Sequence, residues 1–443
     1  MGGVKIKILF ALDPWIYRDS AGNQLYTLEN IFIKAIKGLR QNGNDVRLLL
    51  GEDMKYTLDK RKINPGCKIN IISMSELYSI YNNHYEAHSI QFNKLETKIQ
   101  KDRMAGLIKK NLENWEPEVI ISFTTPVSIW KYIYKNALGL QFENGIFSRA
   151  PYPHLCQLDP FGFLKKSYPA HFKKELRNNK ITEDQKNRID NLIKVYRKEI
   201  FEKKNPITRK ELVHNKWKNI ILIPLSYNGV IINDEASEFR SQLDFLVFIL
   251  EKIPKETRIL VTRHSLQLNG SIPLETETFL MNKYDNLSFC EELSKYAFLS
   301  QWLTPLVDGV ITTNSTIGYH AALFNKKVFT IGDCEINSIA TAENLDNIKE
   351  VMSDINKDDA SLSVIYSLLT RHSFLLKRFW DGRWLTNRLN SLLIEYQNGN
   401  LEKDWKALPL ICQDEDKIFE EIIANTPGLD KGYNPRIYQE DKK

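Results

Sequence analysis

The sequence predicts an α/β protein made of two doubly wound domains. Three observations carry this prediction. The chain has 443 residues, too many for one ordinary core. Apolar strand-like runs alternate with helical stretches through the first third, and the same alternation restarts at Asn219. Between the two, residues 172–209 shift to lysine, glutamate and asparagine, as a helical connector would. Hydrophobic residues at 42% and aromatics at 11% belong to a globular chain rather than a disordered one.

Taken in order, Lys5 to Ala11 reads as a strand that leads through Asp13-Pro14-Trp15 to a helix over Glu29–Leu39, closed by Asn42-Gly43. Val46–Leu50 and Lys68–Ser73 read as strands, and a long helical region is expected over Ser75–Trp115. Glu118–Phe123 has the length and apolarity of a fully buried parallel strand. A helix near Val127–Tyr134 precedes the run Leu138–Phe142, which ends on Glu143 and the turn Asn144-Gly145. In the connector, Thr182 and Gln185 have capping-box spacing, while Ile189, Leu192, Ile193, Tyr196 and Ile200 keep one helical face apolar. In the second half, Asn219–Leu225, Arg258–Thr262, Leu306–Thr313 and Lys327–Ile331 read as strands, with helices over Ala236–Leu250 and Ile317–Phe324. The resulting division is 1–210, 211–385, and a tail 386–443 expected to pack back on the first domain.

Several function classes lose ground at once. The net charge of +6 is spread over 61 basic and 55 acidic residues with no long basic stripe, which speaks against nucleic acid. Five cysteines in no paired spacing argue against a disulfide framework or zinc ribbon, so a reducing, cytoplasmic setting is expected. No signal-peptide pattern is visible, and runs such as Leu243–Leu250 fall short of the roughly 20 residues a membrane span needs. A Walker lysine motif and G-x-G-x-x-G are both missing.

Three places remain chemically suggestive. The first is Gln141–Leu164, where Glu143, Arg149 and Asp159 stand among aromatic and apolar residues; it reads either as a polar site or as a loop with solvated charges. The second is Thr312–Gly318, a strand end rich in hydroxyls that opens a helix; it offers a phosphate its N–H groups and side chains, or is an ordinary N-cap by Asn314 or Ser315. The third is Arg263-His264 at a strand end, able to neutralise a leaving phosphate or to serve the fold. His320 and His372 read as structural, and Trp15, Tyr17, Trp380 and Trp384 as core.

These residues carry a resemblance. Glu143-Asn144-Gly145, Arg149, Leu158-Asp159 and Gly162 resemble the glutamate-acidic-glycine, arginine and aspartate-x-x-glycine series of the bacterial capsule-polysaccharide β-Kdo transferases. Ile223-Pro224-Leu225, His264, Ser315-Thr316-Ile317-Gly318, Lys327-Val328 and Gly332 are similar to that family's later motifs, in the same order. Related transferases that build lipopolysaccharide O-antigen fit equally well. The chain departs from the family pattern at Ser265, where proline is common, and in the spacing around Arg149.

The resemblance implies a GT-B fold, two Rossmann-like domains facing a cleft, and retaining transfer of Kdo from CMP-β-Kdo by double displacement. It implies Asp159 as nucleophile and Glu143 as acid/base, with the reverse assignment open. Arg149 and Asn144 would hold the donor sugar, and Arg263, His264, Asn314, Ser315, Thr316 and Gly318 the CMP. Asp13 and Arg18 are candidate acceptor-side groups. No metal or other cofactor is implied; the partners are CMP-Kdo and a glycan or lipid-linked glycan, with peripheral association at the inner membrane face. The alternatives are a sialyltransferase using CMP-sialic acid and a non-catalytic polysaccharide-assembly subunit.

Overall fold

The computed structural model describes residues 5–12, 21–82, 91, 96–123, 125–213, 216–226, 236–264, 272–354 and 358–435. Asp13, Trp15, Tyr17 and Arg18 lie outside them. The chain divides into two units, and the predicted α/β class with two Rossmann-like sheets is what the structure shows.

Unit 1 comprises Met1–Gly145, Leu155–Phe163 and Arg371–Ile411. Its strands are β1 (Lys7–Leu12), β2 (Asp45–Gly51), β3 (Lys68–Ile72), β4 (Val119–Phe123), β5 (Leu138–Asn144), β6 (Leu155–Asp159) and β12 (Ser373–Leu375), in the order β12-β6-β5-β4-β1-β2-β3. The five strands from β5 to β3 are parallel. β1 and β4, in the middle of the sheet, are buried on both faces, which is why they read as apolar runs. β6 and β12 extend the sheet by antiparallel pairings. Neither strand stands out in the sequence: Pro153 and Pro160 bracket β6, and β12 is three residues long.

Helix α1 (Ile33–Gln41) buries Ile33, Ala35, Ile36 and Leu39 and continues upstream without a break through Thr27–Phe32 and Ala21–Tyr26. It crosses α8 (Gly382–Gln397) at two glycines. A Cβ on Gly382 would fall 1.9 Å from Gly38 O, so only glycine lets these backbones meet. This crossing, with the β12–β6 pairing, ties Arg371–Ile411 to unit 1. The return therefore begins before residue 386, and Cys412–Lys443 belongs to the other unit. Of the helical region expected over 75–115, the described part consists of Met74–Tyr78 and α2 (Lys98–Asn111), the latter capped by a Thr97/Gln100 capping box.

Unit 2 comprises Ile146–His154, Leu164–Thr370 and Cys412–Lys443. Its sheet is β11-β10-β7-β8-β9, built from β7 (Asn219–Pro224), β8 (Thr257–Thr262), β9 (Leu287–Ser288), β10 (Gly309–Thr312) and β11 (Lys327–Thr330), all parallel. Helix α5 (Gln242–Lys252) starts six residues later than the sequence suggests, because the Ser241 hydroxyl caps it by accepting from Asp244 N–H at 3.1 Å. Phe245, Leu246, Ile249 and Leu250 on α5 pack against Ile221, Ile223, Ile259, Val261 and Ile311 of the sheet. The connector helix α4 (Glu183–Val195) has the expected Thr182/Gln185 capping box. It groups with unit 2 rather than with residues 1–210: its π-helical continuation, Tyr196–Phe201, buries Tyr196 against Tyr152, with the phenol hydrogen-bonded to Thr426 Oγ1 at 3.2 Å.

Candidate active site

In a parallel sheet, ligands collect beyond the carboxyl ends of the strands where the winding direction reverses. In unit 2 this switch lies between β7 and β10, the strands from which the chain winds outward in opposite directions. Two of the predicted stretches emerge on this edge: Arg263-His264 directly after β8 and Thr313–Thr316 directly after β10.

Arg263 is paired with a carboxylate of its own unit. Its Nε donates to Glu277 Oε1 at 2.8 Å and a second guanidinium nitrogen pairs with Oε2 of the same carboxylate, which is 1% exposed on helix α6 (Leu274–Lys283). The pair holds the end of β8, and removing the arginine would leave the buried Glu277 carboxylate without its counter-charge.

His264 is half-buried, and burial, with the Arg149 charge added, pulls its pKa down to about 4. The ring therefore enters the site neutral, as a hydrogen-bonding group rather than a cation. Burial and Arg149 also lower the pKa of His154. In His320, burial outweighs the hydrogen bond to Ile146 O and, with Arg149, leaves a pKa of about 3. Three histidines thus feel one guanidinium, that of Arg149.

The turn after β10 is closed largely on itself. Ser315 N–H donates to Thr312 Oγ1 at 2.8 Å and Ile317 N–H to Ser315 Oγ at 3.4 Å. Gly318 and Tyr319 N–H donate to Ser315 O and Thr316 O, both at 3.0 Å. The expected cradle of open N–H groups is therefore mostly absent at these four positions. What the turn presents is side chains, because Asn314, Ser315 and Thr316 are half-buried within a run that is buried on both sides. Gly318 has a packing role: a Cβ there would stand 2.5 Å from Ile336 Cγ2, so it seats helix α7 (Ile317–Leu323) on its neighbours.

Unit 1 holds the carboxylates. β5 and β6 pair antiparallel, with Gln141 opposite Asp159 and Glu143 opposite Gln157. Opposed residues share a face, so these four point the same way, joined by Ser122 opposite Gln141 and by Ser373 opposite Gln157. The other face carries Phe142 and Phe374; Phe142 packs on Phe32 and Phe379 with centroids 5.4 and 4.8 Å away. Ser122, Gln141, Asp159 and Ser373 are no more than 1% exposed. Glu143 and Asp159 are diagonal neighbours, with Cα atoms about 7–8 Å apart by sheet geometry.

Their environments differ. Glu143 is half-buried at the carboxyl end of β5, and Asn144 beside it is exposed. Asp159 is 0% exposed. Its Oδ1 accepts from Phe161 and Gly162 N–H at 2.8 and 3.1 Å, and its Oδ2 is 2.9 Å from His372 Nε2. The aspartate-x-x-glycine motif therefore closes on itself. Because β6 runs back against β5, Asp159 lies level with the middle of β5 and not at its carboxyl edge.

His372 and the polar face of Gln141, Gln157 and Ser373 escape sequence reasoning. His372 is 213 residues from its partner, and no spacing rule bridges that distance. A weak signal for the face does exist in the polar residues at alternate positions, Gln141 with Glu143 and Gln157 with Asp159. Among the described residues no group of three His, Cys, Asp or Glu side chains is placed to hold a metal ion, and no helix is long and apolar enough to cross a membrane.

No protein-family model matches the sequence, and no curated protein matches it either. Solved structures similar in fold include KpsC from Thermosulfurimonas dismutans, a β-Kdo 2,7 transferase. It is 14% identical, with 66% of this chain and 89% of that one covered and a TM-score of 0.39. Anabaena HepE in complex with UDP is 10% identical over 88% of this chain and all of that one, with a TM-score of 0.39. A putative UDP-N-acetylglucosamine 2-epimerase from Listeria monocytogenes is 11% identical over 89% and 97%, with a TM-score of 0.30. At such identities and TM-scores these likenesses assign no activity to the chain.

Proposed function

We propose that the protein is a retaining glycosyltransferase that moves Kdo from CMP-β-Kdo to a bacterial surface glycan, free or lipid-linked, at the cytoplasmic face of the membrane. The observation that carries this reading is the carboxyl edge of unit 2, where Arg149 acts on His264 beside a sheet whose β10 turn presents Asn314, Ser315 and Thr316. A cation, a neutral imidazole and hydroxyl side chains suit one nucleotide phosphate and one sugar carboxylate. In this reading Arg149 forks onto the Kdo carboxylate, with Asn144 as a further sugar contact. Ser315, Thr316 and Asn314 hydrogen-bond the phosphate and His264 donates to it. Arg263 and Gly318 support the site without touching the ligand. No cofactor takes part.

The two displacements are assigned to a carboxylate of the β5–β6 hairpin. In the first displacement a carboxylate oxygen forms a bond to the anomeric carbon, and the bond from that carbon to the phosphate oxygen breaks, CMP leaving with the electron pair. In the second, an acceptor hydroxyl passes its proton to the phosphate of the CMP just released, attacks the same carbon and displaces the carboxylate, so two inversions give retention. A nucleophile needs a line of approach. Glu143, half-buried at the strand end, has more of one than Asp159, which is enclosed and held by three donors. Glu143 is accordingly the nucleophile in this reading. Asp159, with His372, sets the polar face behind it, so the nucleophile is not the residue the resemblance implies.

The test is intact-protein mass spectrometry after incubation with CMP-Kdo generated in situ. Wild type and Asp159→Asn are expected to gain one Kdo unit, and Glu143→Gln to gain none. The opposite pattern would return the nucleophile to Asp159. No adduct on any form, together with no CMP release, would overturn the donor.

A further inference from the structure

We propose that His320 is a positioning residue that sets Arg149 in the donor site by holding the loop Ile146–Tyr152; this rests on the reading of Arg149 as the group that binds the sugar carboxylate. The loop begins where the β5–β6 ladder ends, with Gly145 N–H donating to Leu155 O at 2.9 Å. The next carbonyl, Ile146 O, lies 3.1 Å from His320 Nε2. The loop then folds around that imidazole: the Phe147 centroid is 5.4 Å from it and the Tyr152 centroid 4.4 Å, and the two aromatic rings stack on each other at 4.9 Å. A turn closed by Tyr152 N–H donating to Arg149 O at 3.1 Å puts Arg149 at its first position. Gly428 N–H, donating to Pro151 O at 2.9 Å, fastens the far side.

The chemistry of the ring says what it is there to do. His320 is 1% exposed, and its Nδ1 has no hydrogen-bond partner among the described residues. A neutral imidazole has one N–H and one bare nitrogen, so Nε2–H is the donor to Ile146 O and Nδ1 is the bare one. A phenylalanine would fill similar space without burying an orphaned nitrogen. What histidine adds at this position is the hydrogen bond to the loop. The same ring sits on α7, the helix that opens directly after Asn314–Thr316. One short helix therefore carries the hydroxyl turn at its start and the anchor for Arg149 in its second turn, fixing the spacing between the phosphate and carboxylate ends of the donor site.

A purely structural histidine and a positioning one separate in kinetics. The full-length protein would be assayed for CMP release against CMP-Kdo concentration, with CMP affinity read by calorimetry on the same samples. His320→Phe is expected to raise KM for CMP-Kdo by about tenfold while CMP affinity changes less than about twofold, and His320→Gln, which keeps an N–H at similar reach, to recover most of the loss. In an Arg149→Ala background, His320→Phe should add nothing further. An equal rise in both backgrounds, or loss of CMP affinity together with KM, would overturn the positioning role. If Arg149→Ala alone leaves KM unchanged, it is the reading of Arg149 that falls. Should His320→Phe fail to fold, His320→Asn, too short to reach Ile146 O, takes its place against His320→Gln with the same expected contrast.

Discussion

Replacing His320 by glutamine removes one proton-binding group from the core of unit 2, and the structure sets the size of the effect. Burial, reinforced by Arg149, holds the folded-state pKa near 3 against 6.5 for an ordinary histidine. The folded pKa is the lower of the two, so the contribution is fully present above 6.5. It is lost as the pH falls, because the unfolded chain takes up a proton that the folded one refuses. Going from about pH 7.5 to about pH 5, each histidine of this kind removes about 2 kcal/mol, one and a half pH units of unmatched protonation. His264, held near 4, contributes a similar slope, which is why the comparison must be a difference. Urea unfolding of wild type and His320→Gln at both pH values supplies it: the stability gap should shrink by about 2 kcal/mol at the lower pH. A gap that stays constant would mean that His320 is not buried neutral, and would remove the electrostatic picture of the Arg149 loop with it.

Two further substitutions test the packing around the site. Gly318→Ala should lower stability by about 1–3 kcal/mol, read as a drop in the thermal midpoint, because its methyl group lands on Ile336 Cγ2. Unchanged stability would show that the α7 seat is loose. Asp159→Asn keeps the volume but replaces one acceptor oxygen with a donor group, so it should destabilise unit 1 by about 1–3 kcal/mol in urea titrations; no change would argue that His372 and the Phe161–Gly162 turn do not depend on the carboxylate.

Local grammar made much of the fold legible. Parallel strands buried on both faces leave continuous apolar runs, so β1, β4 and β7 could be placed from composition alone. The Thr182 capping box likewise fixed the start of α4. What a helix or strand packs against is a different kind of information. The face of α4 reads as amphipathic, but nothing local says that Tyr196 will meet Tyr152 or that residues 146–154 will group with unit 2. The same holds for Arg263 and Gly318. Both sit where ligand-binding residues belong, and both are committed to neighbours, Glu277 and Ile336, that no motif names.

The carboxylate pair shows the same difference more sharply. Glu143 and Asp159 are separated by 16 positions, which invites the idea that both arrive at one strand edge. Between them the chain reverses, and an antiparallel return carries each successive residue away from the edge it has just left. Two residues of register, Glu143 opposite Gln157 and Gln141 opposite Asp159, amount to about 7 Å along the strand. That displacement puts Asp159 under cover, beside a histidine that stands just ahead of β12, more than 200 residues later. It leaves the half-buried position at the edge to Glu143. A motif gives the order of groups along the chain, whereas reactivity depends on which of them can be reached. In unit 1 the register of one hairpin decides that.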